Sequence, residues 1–311
     1  MNIVIVHGGT STESAISTRN ANYIAIALNE NGHNIKMVEF DENTYLELQS
    51  TRPDLVFITV QGKNHGDGTI QSLCEVLNLP YTGSKAAAAA LINNKSSCKS
   101  ICAYHQIRTP EFLSYCKSDF FQTPRQEVMA AIERHMRYPV VAKAVSQGGS
   151  FGIELIKTGD DYELIAKTFD FDDEIIIERF IEGKFLTTSV LEIQHKPTAL
   201  PTLMGFNVDE LPGELILFNR PFLAKQAEVS QNLRQELEHT SLRIFHILGG
   251  KNYGRIDFMI EEATNLPYFI EINAVPGLKP DSFFPQAAEQ LGISFNELIK
   301  IITDNEGSGR F

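Results

Sequence analysis

Short, unbroken apolar runs alternate with segments of helical periodicity through the first part of the chain, and this pattern constrains the fold more than any other feature. Asn2–Val6 (NIVIV) breaks into HGGTS. Ile16, Tyr23, Ile24, Ala27 and Leu28 then recur near a period of 3.6, which predicts a helix; Gly32 ends it. Asn34–Phe40 reads as the next strand, and Asp54–Val60 (DLVFITV) follows Pro53 as a third. A strand that is apolar at every position has both faces covered, as in a parallel sheet with helices on both sides. Gly-rich turns follow two of these strands, HGG at 7–9 and QGKNHGDG at 61–68. In such sheets the loops at the carboxyl ends of the strands carry the ligand.

An Ala-rich helical segment after LNLPYTGS marks a first boundary. Beyond it, Ile107–Ser114 reads as a strand with Pro110 at its entry. Arg125–Arg137 reads as a helix, and Pro139–Val145 as a strand that contains a lysine. The turn SQGGSFG leads into IELIK as a hairpin partner. Asp160–Phe169 is a predicted helix and Glu174–Phe180 a strand, giving a small α+β module at roughly 95–180. Leu186–Ile193 and Thr198–Leu203 are expected to pair across QHKP. Gly205–Ala227 has weak periodicity and is expected to be a long active-site loop that closes over a cleft. Leu233–Leu248 is a helix, Arg255–Glu261 and Tyr268–Asn273 are strands, and Ser282–Leu291 and Phe295–Ile302 are helices before a frayed NEGSGRF tail. At 311 residues the length prior is two or three domains.

Charge narrows the function classes. Lys and Arg number 27 against 39 Asp and Glu, a net charge of −12, so a surface that wraps nucleic acid is disfavoured. The N-terminus lacks a basic segment followed by an apolar core, so it does not read as a signal peptide. Ala86–Ile92 is too short to span a bilayer. No membrane association and a cytoplasmic location are the expectations. Cys74, Cys98, Cys102 and Cys116 lack zinc-knuckle spacing and read as small buried side chains in a reducing compartment.

The chemistry concentrates in GRIDFMI and YFIEINAVPGLKPDS. Glu271 and Asn273 are two apart and share a strand face, while Asp257 sits among apolar residues where an uncompensated carboxylate is costly. Two carboxylates and an amide oxygen on one face form a hard, oxygen-only site suited to Mg2+; a pair of buried salt bridges fits the same pattern. Lys143 lies inside VVAKAV and must face something negative or solvent. The QGGSFG that follows offers free backbone N–H groups, an anion nest, although a plain hairpin turn fits it too. Glu178 and Ile181 flank a strand exit that could present groups to a base edge.

Together these pieces resemble the ATP-grasp superfamily, and within it the D-alanine–D-alanine ligase family, over nearly the whole chain. HGGTSTESAIS is similar to the family's GGxSxExxxS, QGKNHGDG to HGxxGEDG, and NNKSSCK to DKxxxK. VVAKAVSQGGSFG resembles VKP…GSSxG, IIIERFIEGKF the hinge strand, GRIDFM the RVDF strand, and EINAVPGLKPDS the ExNTxPGxTxxS strand and turn. The resemblance implies an α/β ATP-grasp fold of three α/β domains: an N-terminal parallel-sheet (pre-ATP-grasp) domain over 1–94, a central subdomain over 95–180 and a C-terminal catalytic subdomain over 181–311. It implies ATP-dependent carboxylate–amine ligation of two small amino acids through an acyl phosphate. It also implies two Mg2+ ions, with Mn2+ as a possible substitute, and a homodimer formed through the first domain. Another ATP-grasp ligase, or a non-catalytic nucleotide-binding relative, is the alternative.

Carried over residue by residue, the resemblance places Lys95, Lys143 and Ser150 at the ATP phosphates, and Glu178, Phe180 and Ile181 at the adenine. It makes Asp257, Glu271 and Asn273 magnesium ligands. Arg255 and the backbone N–H of Gly277 fall around the developing oxyanion, where donors stabilise the transition state. Glu13 falls on the first amino acid's ammonium, with Gln61 beside it, and Ser282 with the Phe283 backbone on the second substrate's carboxylate. Departures cluster on the substrate side. Gln61 stands for a histidine, His65 and Gly66 for Gly-Glu, and Gly149 for a serine. Phe185 stands for a ribose-binding glutamate, and Ala274 and Lys279 for two threonines.

Overall fold

A computed structural model describes residues 1–207 and 222–307. The chain opens with β1 (Asn2–His7), α1 (Ser14–Glu30), β2 (Asn34–Glu39), α2 (Thr44–Thr51) and β3 (Leu55–Ile58), followed by α3 (Thr69–Leu77), α4 (Ala86–Asn93) and α5 (Lys95–Tyr104). The three strands form a parallel sheet in the order β2-β1-β3. The unbroken apolar runs are explained by where alternate residues go. Ile3, Ile5, Leu55 and Phe57 enter one core, while Val4, Val6, Val56 and Ile58 enter another on the opposite face. Each such fully buried side chain contributes about 1.5–3 kcal/mol. On α1 the buried stripe is Ser17, Asn20, Ala21, Ile24, Ala27 and Leu28. Tyr23, expected on that stripe, is exposed instead, because it lies one position before Ile24 and is rotated off the face. The Ala-rich helix divides in two at Asn94, whose extended backbone stops α4 and whose side chain caps α5 by accepting from the Ser97 N–H.

A second layer consists of β4 (Phe112–Cys116), α6 (Lys117–Gln122), α7 (Arg125–His135), β5 (Val140–Ala144), β6 (Ile153–Ile156), α8 (Tyr162–Thr168) and β7 (Glu174–Arg179). Its antiparallel sheet runs β4-β7-β5-β6, and its core, from Phe120 to Ile177, draws on no other layer. The strand expected at 107–114 begins only at Phe112. Residues 107–109 are diverted: Ile107 closes α5 through its N–H to Cys102, and Arg108 and Thr109 bond to Phe269. Pro110 then has no N–H to extend a ladder.

The third layer contains β8 (Gly183–Ile193), β9 (Lys196–Ala199), β10 (Leu203–Asn207), β11 (Phe222–Gln226), α9 (Gln231–Ile247), β12 (Tyr253–Glu261), β13 (Pro267–Asn273), α10 (Phe283–Glu289) and α11 (Phe295–Gly307). Its sheet runs β11-β10-β8-β12-β13, with β9 paired to β8. The expected hairpin turn tightens to Gln194–His195, both left-handed. The expected long loop is a strand at each end, since β10 and β11 pair antiparallel from Leu203–Gln226 to Asn207–Phe222; residues 208–221, on which the closure expectation falls, lie outside the described residues. The C-terminal tail is not frayed through Gly307: Asn305 and Glu306 bond to Asn252, and Glu306 pairs with Lys251 at 2.6 Å. Three cysteines are buried as expected, but Cys116 is exposed at the end of β4. Cys98, Cys102 and Ile107 pack into the core beneath β12 and β13. No helix among the described residues is long and apolar enough to cross a membrane.

Candidate active site

The floor of the site is the β8-β12-β13 ribbon. Asp257, at the middle of β12, lies opposite Thr187 on one side and Glu271 on the other. The register slips after Asp257, so that Phe258 faces Phe269 and Ile270 is left over. A bulge of this kind re-aims side chains, and the adjacent residues Ile270 and Glu271 both line the cleft above. Asp257 is fully buried and satisfied by three donors. Arg255 grips it in a two-pronged pair at 2.9 and 2.7 Å, the Thr187 hydroxyl donates at 2.6 Å, and the Asn273 amide donates at 3.2 Å.

The facing wall comes from β5 and β7. Lys143 and Val141 are two apart on β5, and Glu178 lies beside Val141 in the ladder, so all three share a face. Glu178 is held between Lys143 and Lys99, the latter at 2.8 Å. Burial pushes the Glu178 carboxyl up, but Lys143 and then Lys99 outweigh it and hold it at about 2. Burial lowers the Lys99 ammonium, and Glu178 partly restores it. α5 supplies the bridge between wall and floor. Lys95 at its start reaches Glu271 at 3.3 Å and the Gln147 carbonyl at 2.6 Å, and Lys99 one turn later reaches Glu178.

Between wall and floor is an open cleft that encloses about 790 Å3, part of it open to solvent. One end is apolar: Val141, Ile153, Phe180, Ile181, Phe185, Met259 and Ile270. The other holds Lys95, Lys143, Gln147, Gly148, Ser150, Asp257 and Glu271. Gly149 and Ser150 both have left-handed backbones, the conformation that turns successive N–H groups toward one point. The cleft therefore fits a flat base at one end and phosphates at the other. Among the described residues no three His, Cys, Asp or Glu side chains form a metal group. Asp257 and Glu271 with the Asn273 amide oxygen give instead a hard donor set of the kind Mg2+ takes. Both readings of the sequence pattern are present in part, since Asp257 and Glu271 each also hold an ion pair.

Two further pockets adjoin, of about 510 and 850 Å3. One is lined by Glu13, Gln61, Gly62, Lys95, Gly148, Glu271 and Asn273. The other is lined by Glu13, Arg255, Glu271, Gly277, Ser282 and Phe283 among others. Every residue that the resemblance assigns to nucleotide, metal or substrate lines one of these three pockets, which share Glu271. Glu13 is pushed up to about 7, chiefly by burial, with Lys95 opposing, Glu271 adding and Arg255 opposing. Gln61 donates to the Val275 carbonyl at 2.6 Å. A Cβ on Gly277 would come within 3.1 Å of the Ser282 hydroxyl, so the backbone there approaches Ser282 closely.

Several departures have local causes. A side chain at 66 would meet the Val60 carbonyl at 2.3 Å. His65 accepts from the Thr10 N–H and bonds the Lys63 carbonyl, joining two loops. Lys279 pairs with exposed Asp281 at 2.8 Å and also lines the pocket of Arg255 and Ser282. Phe185 lines the cleft and packs on Phe283. Sequence reasoning missed Lys99. Its signal was available: it follows Lys95 by four and sits between Cys98 and Cys102 on the buried face.

Comparison with known proteins identifies the family. The family model described as "D-ala D-ala ligase C-terminus" matches residues 101–304. The D-alanine–D-alanine ligase of Carboxydothermus hydrogenoformans is 31% identical, covering 97% of each chain. That of Moorella thermoacetica is 31% identical over 98% of each. The solved D-alanine–D-alanine ligase of Bacillus anthracis complexed with ATP superposes with a TM-score of 0.82 at 25% identity, over 98% of this chain and 97% of its own. On the family match and on relatives of this identity and coverage, the chain belongs to the D-alanine–D-alanine ligase family of the ATP-grasp superfamily.

Proposed function

We propose that this protein is an ATP-dependent ligase that joins two small amino acids, D-alanine to D-alanine or a closely related pair, through an acyl phosphate. The supporting observation is that Glu271 lines all three cavities. A triphosphate in the cleft and two substrates in the adjoining pockets would meet at that one carboxylate. In this reading residues 1–94 carry the first-substrate loops, 95–180 the nucleotide wall and 181–311 the catalytic floor.

The apolar end takes the adenine between Ile153 and Val141 above and Met259 and Ile270 below, with Phe180 and Ile181 at its edge. Glu178 anchors Lys143 there. Lys95, Lys143 and the Ser150 loop hold the phosphates. Asp257, Glu271 and Asn273 would hold Mg2+, two ions in this reading with Mn2+ as a substitute; the metal supplies neutralisation of charge on the transferring phosphoryl group. Glu13, with Gln61 beside it, orients the first amino acid by its ammonium. Arg255 and the Gly277 N–H face the oxygen on which charge develops as the second amine attacks. Ser282 and the Phe283 backbone hold the second carboxylate. An assay of ADP release with D-alanine against a panel of L- and D-amino acids tests the proposal: turnover is expected with D-alanine, and no turnover with any amino acid ends it.

A further inference from the structure

Asp172 is buried in the turn before β7, and its carboxylate serves three donors. One oxygen accepts from the Ser146 N–H at 2.7 Å, at the root of the 146–150 loop. The other accepts from the Asp173 N–H and from Lys63 Nζ, the latter at 2.7 Å. Lys63 belongs to the 61–68 loop that carries Gln61, so this one carboxylate, 109 positions from Lys63, joins the phosphate-side loop to the first-substrate loop. The joined loop also roofs the first-substrate pocket. A Cβ on Gly148 would lie 2.4 Å from a Glu13 oxygen, and Thr12 donates to the Gln147 side chain at 3.1 Å. Gln147 and Gly148 line both the nucleotide cleft and the Glu13 pocket. Lys63 touches neither of these pockets.

We propose that Asp172 is a positioning residue that, with Lys63, fastens the 146–150 loop over Glu13, so that nucleotide and first amino acid each strengthen the other's binding and water is kept from the acyl phosphate. This rests on the ligase reading above. A ligand that orders the loop from one side lowers the ordering cost for the other, and Lys63 transmits that order because it is the charged tie between the two loops.

The test uses the wild type, Lys63→Met and Asp172→Asn, with ADP and dipeptide measured separately and thermal unfolding recorded for each. Lys63 is partly exposed, and Lys63→Met is expected to fold normally. It should raise KM for ATP and for the first amino acid about two- to fivefold, the size of a partly exposed ion pair, with kcat nearly unchanged. ADP released per dipeptide should also rise, a change that mere loss of stability does not produce. Asp172→Asn keeps an acceptor for Ser146 but loses the charge; if folded, it should show the same pattern, and the double variant should be no worse. A Lys63→Met enzyme with wild-type KM values and a wild-type ADP-to-dipeptide ratio overturns the proposal, whatever Asp172→Asn does. If the wild type makes no dipeptide, the ligase reading fails, and calorimetric ATP affinity of wild type and Lys63→Met still decides the fastening: equal affinities sink it.

Discussion

The two ends of the site manage buried charge differently. At the proposed nucleotide end each of three carboxylates has a cation against it: Glu178 has Lys99 and Lys143, Asp257 has Arg255, and Glu271 has Lys95. At the amino-acid end, among the described residues, no cation comes within ion-pair distance of Glu13, and its carboxyl rises to about 7. The first end is assembled before any ligand arrives. The second holds an acid whose ionisation depends on what binds. A triphosphate brings charge that meets fixed cations, whereas an amino acid brings the cation its partner lacks.

Breaking the assembled end should cost most. Glu178→Ala leaves Lys99 wholly buried without its carboxylate, and an uncompensated buried charge costs about 3–5 kcal/mol. Thermal or urea unfolding should show a loss of this size; a change as small as that of a surface variant would mean the pair is not holding the wall. Because Glu178 is held low, its stabilisation is present above the ordinary carboxylate range and is lost as pH falls through about 2. Glu271→Gln keeps shape and removes charge where the pockets meet. Turnover should fall about a hundredfold while unfolding changes little; collapse of stability with normal activity per folded molecule would remove Glu271 from the metal site.

The poised end predicts a pH effect. A carboxyl raised to about 7 is protonated below that value and cannot pair with an ammonium, so KM for the first amino acid should fall as pH rises through 7. Glu13→Gln should flatten this dependence; an unchanged profile would assign the titration elsewhere. The smallest effect belongs to Lys279→Ala. Its partner is an exposed aspartate, so stability should change by less than about 1 kcal/mol and KM hardly at all. A large KM change would give Lys279 a ligand after all.

The same contrast governs what was readable from the sequence. The parallel sheet was legible because burial on two faces leaves no polar position in IVIV (3–6) or LVFI (55–58). The strands that carry Asp257 and Glu271 were legible because Asp257 is expensive inside an apolar run unless something compensates it. Lys99 was not legible as a partner of Glu178, since their meeting depends on how α5 packs against β7. The start of β4 was missed because Arg108 and Thr109 bond to β13, far along the chain. The ends of 205–227 were missed because β10 and β11 support each other and neither carries a strong pattern alone.

The way the cores are divided has a mechanical consequence. One core runs without a break from Ile3 and Phe57 of the first sheet to Phe284 and Ile302 of the last helices, welding the Glu13 platform to the catalytic floor. The four-stranded layer keeps its apolar interior to itself. What ties it to its neighbours includes charged pairs, Lys99 with Glu178 and Lys63 with Asp172.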